Sequence, residues 1–69
     1  MNAFAARRIN AGIRQEDVAR ELKVDRSTVA KWETNKAFPR SAILPQLARL
    51  YKCTIDELLV SGESEDKAV

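Results

Sequence analysis

The chain has 69 residues, enough for one small domain, and its 45% hydrophobic and 32% charged residues are typical of a globular protein. A single cysteine, Cys53, and the lack of histidine exclude an internal disulfide and leave too few ligands for a zinc site. No apolar run approaches about 18 residues and no apolar block follows the early arginines, so we expect neither a membrane span nor a signal peptide. The sequence therefore predicts a cytoplasmic protein without a metal, a cofactor or a membrane partner.

Charge is distributed unevenly along the chain. Residues 1–52 hold 11 Lys and Arg against 5 Asp and Glu, a net of +6, whereas residues 53–69 hold 1 against 5, a net of −4. A basic body followed by an acidic end suits a nucleic-acid partner that binds the body alone. Ordinary solvated faces give the same counts, so charge by itself does not decide between these two interpretations.

A first helix is predicted over residues 3–11. Asn2 is a favourable N-cap, and Gly12 can end the helix in the left-handed conformation. At 100° per residue, four side chains fall on one face of this helix: Phe4, Ala5, Arg8 and Ile9. Because Arg8 lies on an otherwise apolar stripe, it needs a partner.

Two further helices are predicted over residues 15–22 and 26–34. Asp25 is a favourable N-cap for the later of the two. The periodicity turns five side chains inward: Val18, Ala19 and Leu22 on the second helix, Val29 and Trp32 on the third. The phase of Trp32 therefore predicts a core residue rather than one that stacks on a base.

A loop and a fourth helix follow. Residues 35–43 form the loop, which Pro39 breaks and Phe38 is expected to anchor. The fourth helix covers residues 44–51, and Pro45 fits its first turn because the missing N–H has no intrahelical acceptor there.

The end of the chain predicts a short fifth helix and a tail. Thr54 and Glu57 form a T-x-x-E capping box, which opens a helix that runs through Leu59. The sequence thus predicts a compact all-α, five-helix domain over residues 1–62. Residues 63–69 have no apolar periodicity and are predicted to be a disordered acidic tail.

The join between the second and third helices is the most informative stretch. Only Lys23, Val24 and Asp25 separate the two helices. Val24 is an apolar plug at the centre of the join, and Ala19 is small where the helices approach most closely. A short connection of this kind is typical of the helix-turn-helix unit. Such a turn usually has glycine; if Lys23 adopts the left-handed conformation instead, the strain is roughly 1 kcal/mol.

Two longer stretches carry a family resemblance: "RRINAGIRQEDVARELKVDRSTVAKWETNKAFP" and, after it, "LARLYKCTIDELL". The "WE-x-x-K-x-x-P" pattern and the closing "TIDELL" are more specific than the turn alone. Over residues 4–60 the chain resembles the Cro/repressor-type (XRE-like) helix-turn-helix family of bacterial and phage regulators. The resemblance implies a lambda-repressor-like domain that places its third helix, with the second as support, in the DNA major groove, usually as a dimer.

The resemblance also implies that the exposed side of the third helix reads bases. A recognition helix contacts base edges mainly with residues near its N-terminus. Arginine and lysine suit guanine O6 and N7, serine bonds donors or acceptors, and a small residue allows close approach to the groove floor. The matching positions are Arg26, Ser27, Thr28, Ala30 and Lys31. A solvated helix face contains the same residue types, and only the surrounding helix-turn-helix frame favours base reading.

Residues on both sides of the third helix are expected to contact phosphates. By family position, Gln15 is one candidate, through its side chain and the backbone N–H groups at the start of the second helix. Asn35, Lys36 and Arg40 in the loop are others, and Arg14 adds charge beside them. Taken singly, each is an ordinary surface residue; their clustering around one helix is what suggests a DNA contact.

Arg8 and Glu33 match an ion pair that ties the first and third helices together in this family. The resemblance therefore implies a structural role for both. Such a pair is weak evidence for stability, but deleting one partner costs about 3–5 kcal/mol if the other stays buried.

The function that follows is sequence-specific regulation of transcription, more readily as a repressor, by a homodimer on an inverted repeat. A domain this small presents one recognition helix, so two copies are needed for useful specificity. Leu58, Leu59 and Val60 are the candidates for the dimer interface, although Leu58 serves equally well to close the core of one monomer.

The sequence also bears on two other classes of function. An enzyme is disfavoured because the chain has no histidine, no paired inward carboxylates and no glycine-rich phosphate loop. The stronger rival is an antitoxin-like or adaptor module that binds a protein through the same fold. Such a module has no need of the positive and polar residues at positions 26, 27, 31, 36 and 40 together, and antitoxins commonly bind DNA as well.

Overall fold

Five helices and the turns between them form the protein in the computed structural model, which describes residues 1–60. They are α1 (Ala3–Asn10), α2 (Gln15–Leu22), α3 (Arg26–Glu33), α4 (Leu44–Tyr51) and α5 (Ile55–Leu59). The predicted all-α, five-helix fold is confirmed, although α1 and α3 each end one residue earlier than expected. No helix within this part of the chain is long and apolar enough to cross a membrane. The acidic tail predicted over residues 63–69 lies outside the described residues.

The core lies where the five helices meet. Four aliphatic side chains are almost fully enclosed there: Val18, Val29, Leu47 and Leu58. Burying a side chain of this size contributes about 1.5–3 kcal/mol to the hydrophobic driving force. Trp32 and Tyr51 are buried beside them, which confirms the prediction that Trp32 belongs to the core.

The exposure of two apolar residues corrects the sequence prediction. Ile9 was expected on the inner face of α1 but is 52% exposed, because it lies 100° beyond Arg8 and past the edge of the buried stripe. Phe38 was expected to anchor the loop but is 64% exposed. Pro39 takes the buried position instead, and the rings of Phe38 and Phe4 form a T-shaped pair with centroids 5.7 Å apart.

Helix α5 packs against α1 and α4, and this packing decides the role of Leu58. Leu58 is 1% exposed and belongs to the core of its own chain. Its expected place in a dimer interface is therefore wrong, because the side chain is not available to a second copy. Leu59 and Val60 remain exposed.

Side-chain caps start two of the helices. The Asn2 side chain accepts a hydrogen bond from the Ala5 N–H at 3.0 Å, and Thr54 and Glu57 form the complete capping box at the start of α5. Asp25 is the N-cap residue of α3, as predicted, but its side chain makes no capping hydrogen bond. The Thr28 N–H donates to the backbone carbonyl of Asp25 at 2.9 Å, so it needs no carboxylate.

Four of the helices end in the same way, with a residue in the left-handed conformation. These residues are Gly12, Lys23, Asn35 and Lys52, with φ between 58° and 74°. After each of them, the next residue donates its N–H to the carbonyl five residues back, at 2.9–3.2 Å. This 6→1 bond is the mark of a Schellman ending, which satisfies a carbonyl that the helix leaves unpaired. The sequence predicted the left-handed conformation at Gly12 and suggested it at Lys23, but it gave no indication of it at Asn35 and Lys52.

Replacing Lys23 by glycine should stabilise the protein by up to about 1 kcal/mol. Lys23 has φ 59° and ψ 46°, where a Cβ is strained and glycine is not. Part of the gain is offset because glycine has more conformational freedom in the unfolded chain. The measurement is the urea midpoint of Lys23→Gly against the parent protein.

Lys23→Ala is the matched control for this substitution. Alanine removes the charge and the long side chain but keeps the Cβ, so it should give no comparable gain. A glycine variant that is less stable than the alanine variant would contradict the role assigned to the left-handed backbone.

Candidate nucleic-acid interface

Helix α3 has one face held by the core and one face turned to solvent. Val29 and Trp32 are buried, α2 packs against α3, and Ala19 of α2 is buried in the same core. Val24, in the turn, is partly buried against the same core. The result is an eight-residue helix whose outer side projects from the protein surface.

The outer side of α3 carries the residues predicted to read bases. Arg26, Ser27 and Lys31 are exposed, whereas Thr28 and Ala30 are half-buried at the edges of this face. All five residues therefore lie in the first turn of α3 or on its outer side. Ala30 has little bulk, so it leaves room for close approach at one edge of this face.

Two further cations lie in the loop that follows α3. Lys36 and Arg40 are exposed, as Asn35 is. Among the ion pairs formed within residues 1–60, none includes Arg26, Lys31, Lys36 or Arg40. Their charges therefore have no carboxylate partner in the part of the chain that the structure describes. Free cations beside an exposed helix are suited to an anionic polymer.

Arg14 differs from these cations. Its guanidinium lies 3.2 Å from Asp17 and 3.4 Å from Glu16. The hydrogen bond between Arg14 and Asp17 raises the pKa of Arg14 and lowers the pKa of Asp17. Because two carboxylates offset its charge, Arg14 contributes less to the positive surface than its position in the sequence suggested.

One carboxylate joins three helices behind the exposed face. Glu33 of α3 accepts hydrogen bonds from Arg8 of α1 at 2.6 Å (Nε) and 3.1 Å (Nη2), and from Gln15 of α2 at 3.0 Å (Nε2). A third Arg8 nitrogen, Nη1, donates to the Ile13 carbonyl at 2.8 Å. The structure therefore contains the ion pair that the family resemblance implied, with the Glu33 side chain only 6% exposed. The hydrogen bond to Glu33 raises the pKa of Arg8.

The same network orients Gln15. One hydrogen of its side-chain amide goes to Glu33, and Gln15 is half-buried at the first turn of α2. The second amide hydrogen and the backbone N–H groups of Gln15 and Glu16 form no hydrogen bond within residues 1–60. Gln15 therefore meets the chemical requirement for a phosphate contact while it is anchored from behind.

Asn2 has a second role that sequence reasoning missed. Besides capping α1, its side-chain nitrogen donates to the Trp32 carbonyl at 2.8 Å and to Asn35 Oδ1 at 2.9 Å. Asn2 thus fastens the start of α1 to the end of α3. No local pattern could have predicted a bond between residues 33 positions apart in the chain.

Cys53 packs partly buried against the core, and burial raises the pKa of its thiol. A protonated, half-buried thiol is a poor nucleophile. Within residues 1–60, no group of three or more histidine, cysteine, aspartate or glutamate side chains could hold a metal ion.

The fold defines a class of domain, the helix-turn-helix DNA-binding domains. A helix-turn-helix family model matches residues 4–58, and the chain belongs to this family, in its Cro/C1-type (XRE) branch. The domain is accordingly lambda-repressor-like, and the family is one of regulators rather than enzymes.

One relative supports the assignment. The chain is 39% identical over 56 residues to the HTH-type transcriptional activator BcrR of Enterococcus faecalis. The match covers 81% of this chain and 27% of that protein, so the chain spans about a quarter of its relative's length. No solved structure matches the chain significantly.

Replacing Arg8 by alanine should destabilise the protein by about 3–5 kcal/mol, because it leaves the buried Glu33 carboxylate without its cation. Arg7→Ala is the matched control. Arg7 is the adjacent residue on the same helix, and its ion pair with Glu57 is exposed and long, at 3.8 Å. Urea denaturation of the two variants gives the comparison, and equal losses would show that the Arg8 pair has no special role.

Proposed function

We propose that two copies of this chain bind an inverted repeat in double-stranded DNA, each with α3 in the major groove, and that the bound dimer represses transcription. The observation that carries this proposal is the division of α3 into two faces. Val29 and Trp32 hold one face in the core, while Arg26 and Lys31 on the other have no carboxylate partner within residues 1–60.

The chemistry of the exposed face suits base edges. Arg26, in the first turn of α3, can form two parallel hydrogen bonds to O6 and N7 of a guanine. Ser27 and Lys31 are one turn apart on the same side, and Ser27 can bond a donor or an acceptor. Thr28 and Ala30 border them. Thr28 can bond a base or a phosphate, and the small Ala30 allows the helix to approach the groove floor closely.

Contacts to the backbone of the duplex would set the position of α3 in the groove. Lys36 and Arg40 supply charge on the loop side, and Gln15 supplies an anchored amide at the start of α2. Asn35 adds a neutral donor next to Lys36. Arg14 has the weakest case of this group, because Glu16 and Asp17 already offset its charge.

The exposed side of α5 is the surface proposed for dimerisation. Ile55 and Leu59 are one turn apart, and Leu59 and Val60 are 48% and 55% exposed. Apolar side chains grouped at one end of a small domain favour association with a second copy. A two-fold pair would bind half-sites about one turn of DNA apart, roughly 34 Å.

Repression is the effect expected when the bound site overlaps a promoter, because the dimer then blocks access to it. Activation is the second candidate, since the relative in Enterococcus faecalis is named as an activator. A reporter assay with the selected site placed over the promoter or upstream of it separates the two effects.

Arg26→Ala and Lys36→Ala should weaken DNA binding in different ways. Sites are first selected from random duplex DNA with the parent protein. Arg26→Ala should cost about 1–3 kcal/mol on the selected site and relax the preference at one base pair. Lys36→Ala should weaken selected and random DNA alike and reduce the salt slope by about one.

Equal losses on selected and random DNA for both variants would contradict the assignment of Arg26 to a base. A parent protein that does not retard any duplex, even at low salt, would contradict DNA binding and favour a protein-interaction module.

Leu59→Glu should convert the dimer to a monomer and weaken binding to the full inverted repeat more than to a single half-site. Sedimentation velocity measures the first effect and a gel shift the second. Ile9→Glu is the control, because Ile9 is similarly exposed but lies about 200° around α1 from Arg7, which faces α5. A parent protein that sediments as a monomer with and without DNA would contradict the dimer.

A further inference from the structure

The orientation of the Asn2 side chain is fixed by two backbone groups. Its oxygen accepts from the Ala5 N–H at 3.0 Å, and its nitrogen donates to the Trp32 carbonyl at 2.8 Å. A backbone N–H can only donate and a carbonyl can only accept, so the oxygen and nitrogen of Asn2 cannot exchange places. Asn2 is also buried, which makes a lost partner costly.

The fixed orientation of Asn2 also determines the orientation of the Asn35 amide. The second hydrogen on the Asn2 nitrogen points at the side chain of Asn35, 2.9 Å away. The atom of Asn35 that meets a donor has to be its oxygen, Oδ1. The NH2 group of Asn35 is therefore the part of the amide that remains for other partners.

The backbone of Asn35 supports this arrangement. Its φ of 63° is left-handed, a conformation that asparagine tolerates better than most residues, and the Lys36 N–H closes the end of α3 on the Lys31 carbonyl. Asn35 is exposed and lies, in sequence, between α3 and the loop cations Lys36 and Arg40. Its NH2 group is thus held at the edge of the surface proposed to face DNA.

We propose that Asn2 is a positioning residue for DNA binding: it holds the amide of Asn35 with the oxygen inward, so that the NH2 group donates to a phosphate of the duplex. The proposal rests on the DNA-binding function proposed above. Asn2, buried at the start of α1, thereby affects duplex affinity through one hydrogen bond, and this effect does not depend on DNA sequence.

Two substitutions at position 2 separate positioning from capping. Asn2→Ser keeps an oxygen for the Ala5 N–H but is too short to hold Asn35, so the amide loses its fixed orientation. Asn2→Asp also keeps the cap, but its carboxylate only accepts, so it draws the Asn35 NH2 group inward and turns the oxygen toward the phosphate. We expect affinity for a random-sequence 30-base-pair duplex to fall about two- to fivefold with serine and about tenfold with aspartate.

The decisive measurement repeats both substitutions in an Asn35→Gly background. Glycine keeps the left-handed backbone and removes the amide, so Asn2→Ser should then have no further effect on duplex affinity. Asn2→Asp should retain only the part of its effect due to the added charge. The salt slope should be unchanged by Asn2→Ser, because a neutral amide releases no counterions, whereas Lys36→Ala lowers it.

The outcomes are distinct for the two proposals. If the parent protein does not bind the duplex at low salt, the proposed function fails. If it binds, but Asn2→Ser weakens binding equally with and without the Asn35 amide, only the positioning role of Asn2 is overturned. Circular dichroism of each variant establishes that it is folded at the temperature of the binding assay.

A measurement on the parent protein covers the case in which an Asn2 variant does not fold. In a 15N-labelled sample, the side-chain NH2 signals of Asn35, identified by their loss in Asn35→Gly, should shift when the duplex is added. The signals of Asn2 should stay almost unchanged. Asn35 signals that do not move at saturating duplex would overturn the proposal.

Discussion

The arrangement of the helices depends on one buried carboxylate. Glu33 is nearly inaccessible to water, and a carboxylate in that position is tolerated only when cations and donors surround it. Arg8 supplies the charge from α1 and Gln15 supplies an amide from α2. Apolar contacts can slide at little cost, whereas these bonds require defined distances and angles. The carboxylate therefore fixes the orientation of α3 relative to its two supports.

Two sets of cations within residues 1–60 differ in whether they have a carboxylate partner. Arg8 is paired with the buried Glu33, and Arg14 and Arg20 are paired with Asp17 at the surface. Arg26 and Lys31 are exposed on the outer side of α3, without a carboxylate partner in residues 1–60. The net charge of the chain is only +2, so an excess of positive charge on one face requires this separation.

Periodicity and capping patterns predicted the parts of the structure that depend on neighbours in sequence. All five helices, the burial of Trp32 and the capping box of α5 are of this kind. The family resemblance added the Arg8 pair. Features that depend on distant contacts were missed or wrong: the exposure of Phe38, and the bonds of Asn2 to the end of α3. A loop has no period to reveal which of two adjacent apolar residues turns inward. The pairing of two asparagines in space has no local signature either.

The short length of α3 sets a limit on how much sequence one copy can read. Eight residues at about 1.5 Å each give a helix of roughly 12 Å, which spans about four base pairs. Two copies together would specify roughly seven or eight base pairs, a sequence that recurs by chance many times among the 10⁶ or more sites of a genome. The remaining information has to come from the spacing of the half-sites and the deformability of the DNA between them. A dimer can discriminate the spacing of half-sites only if its two α3 helices are held at a fixed separation. Selectivity would therefore depend on the rigidity of the helices bonded to Glu33 as much as on any side chain that touches a base.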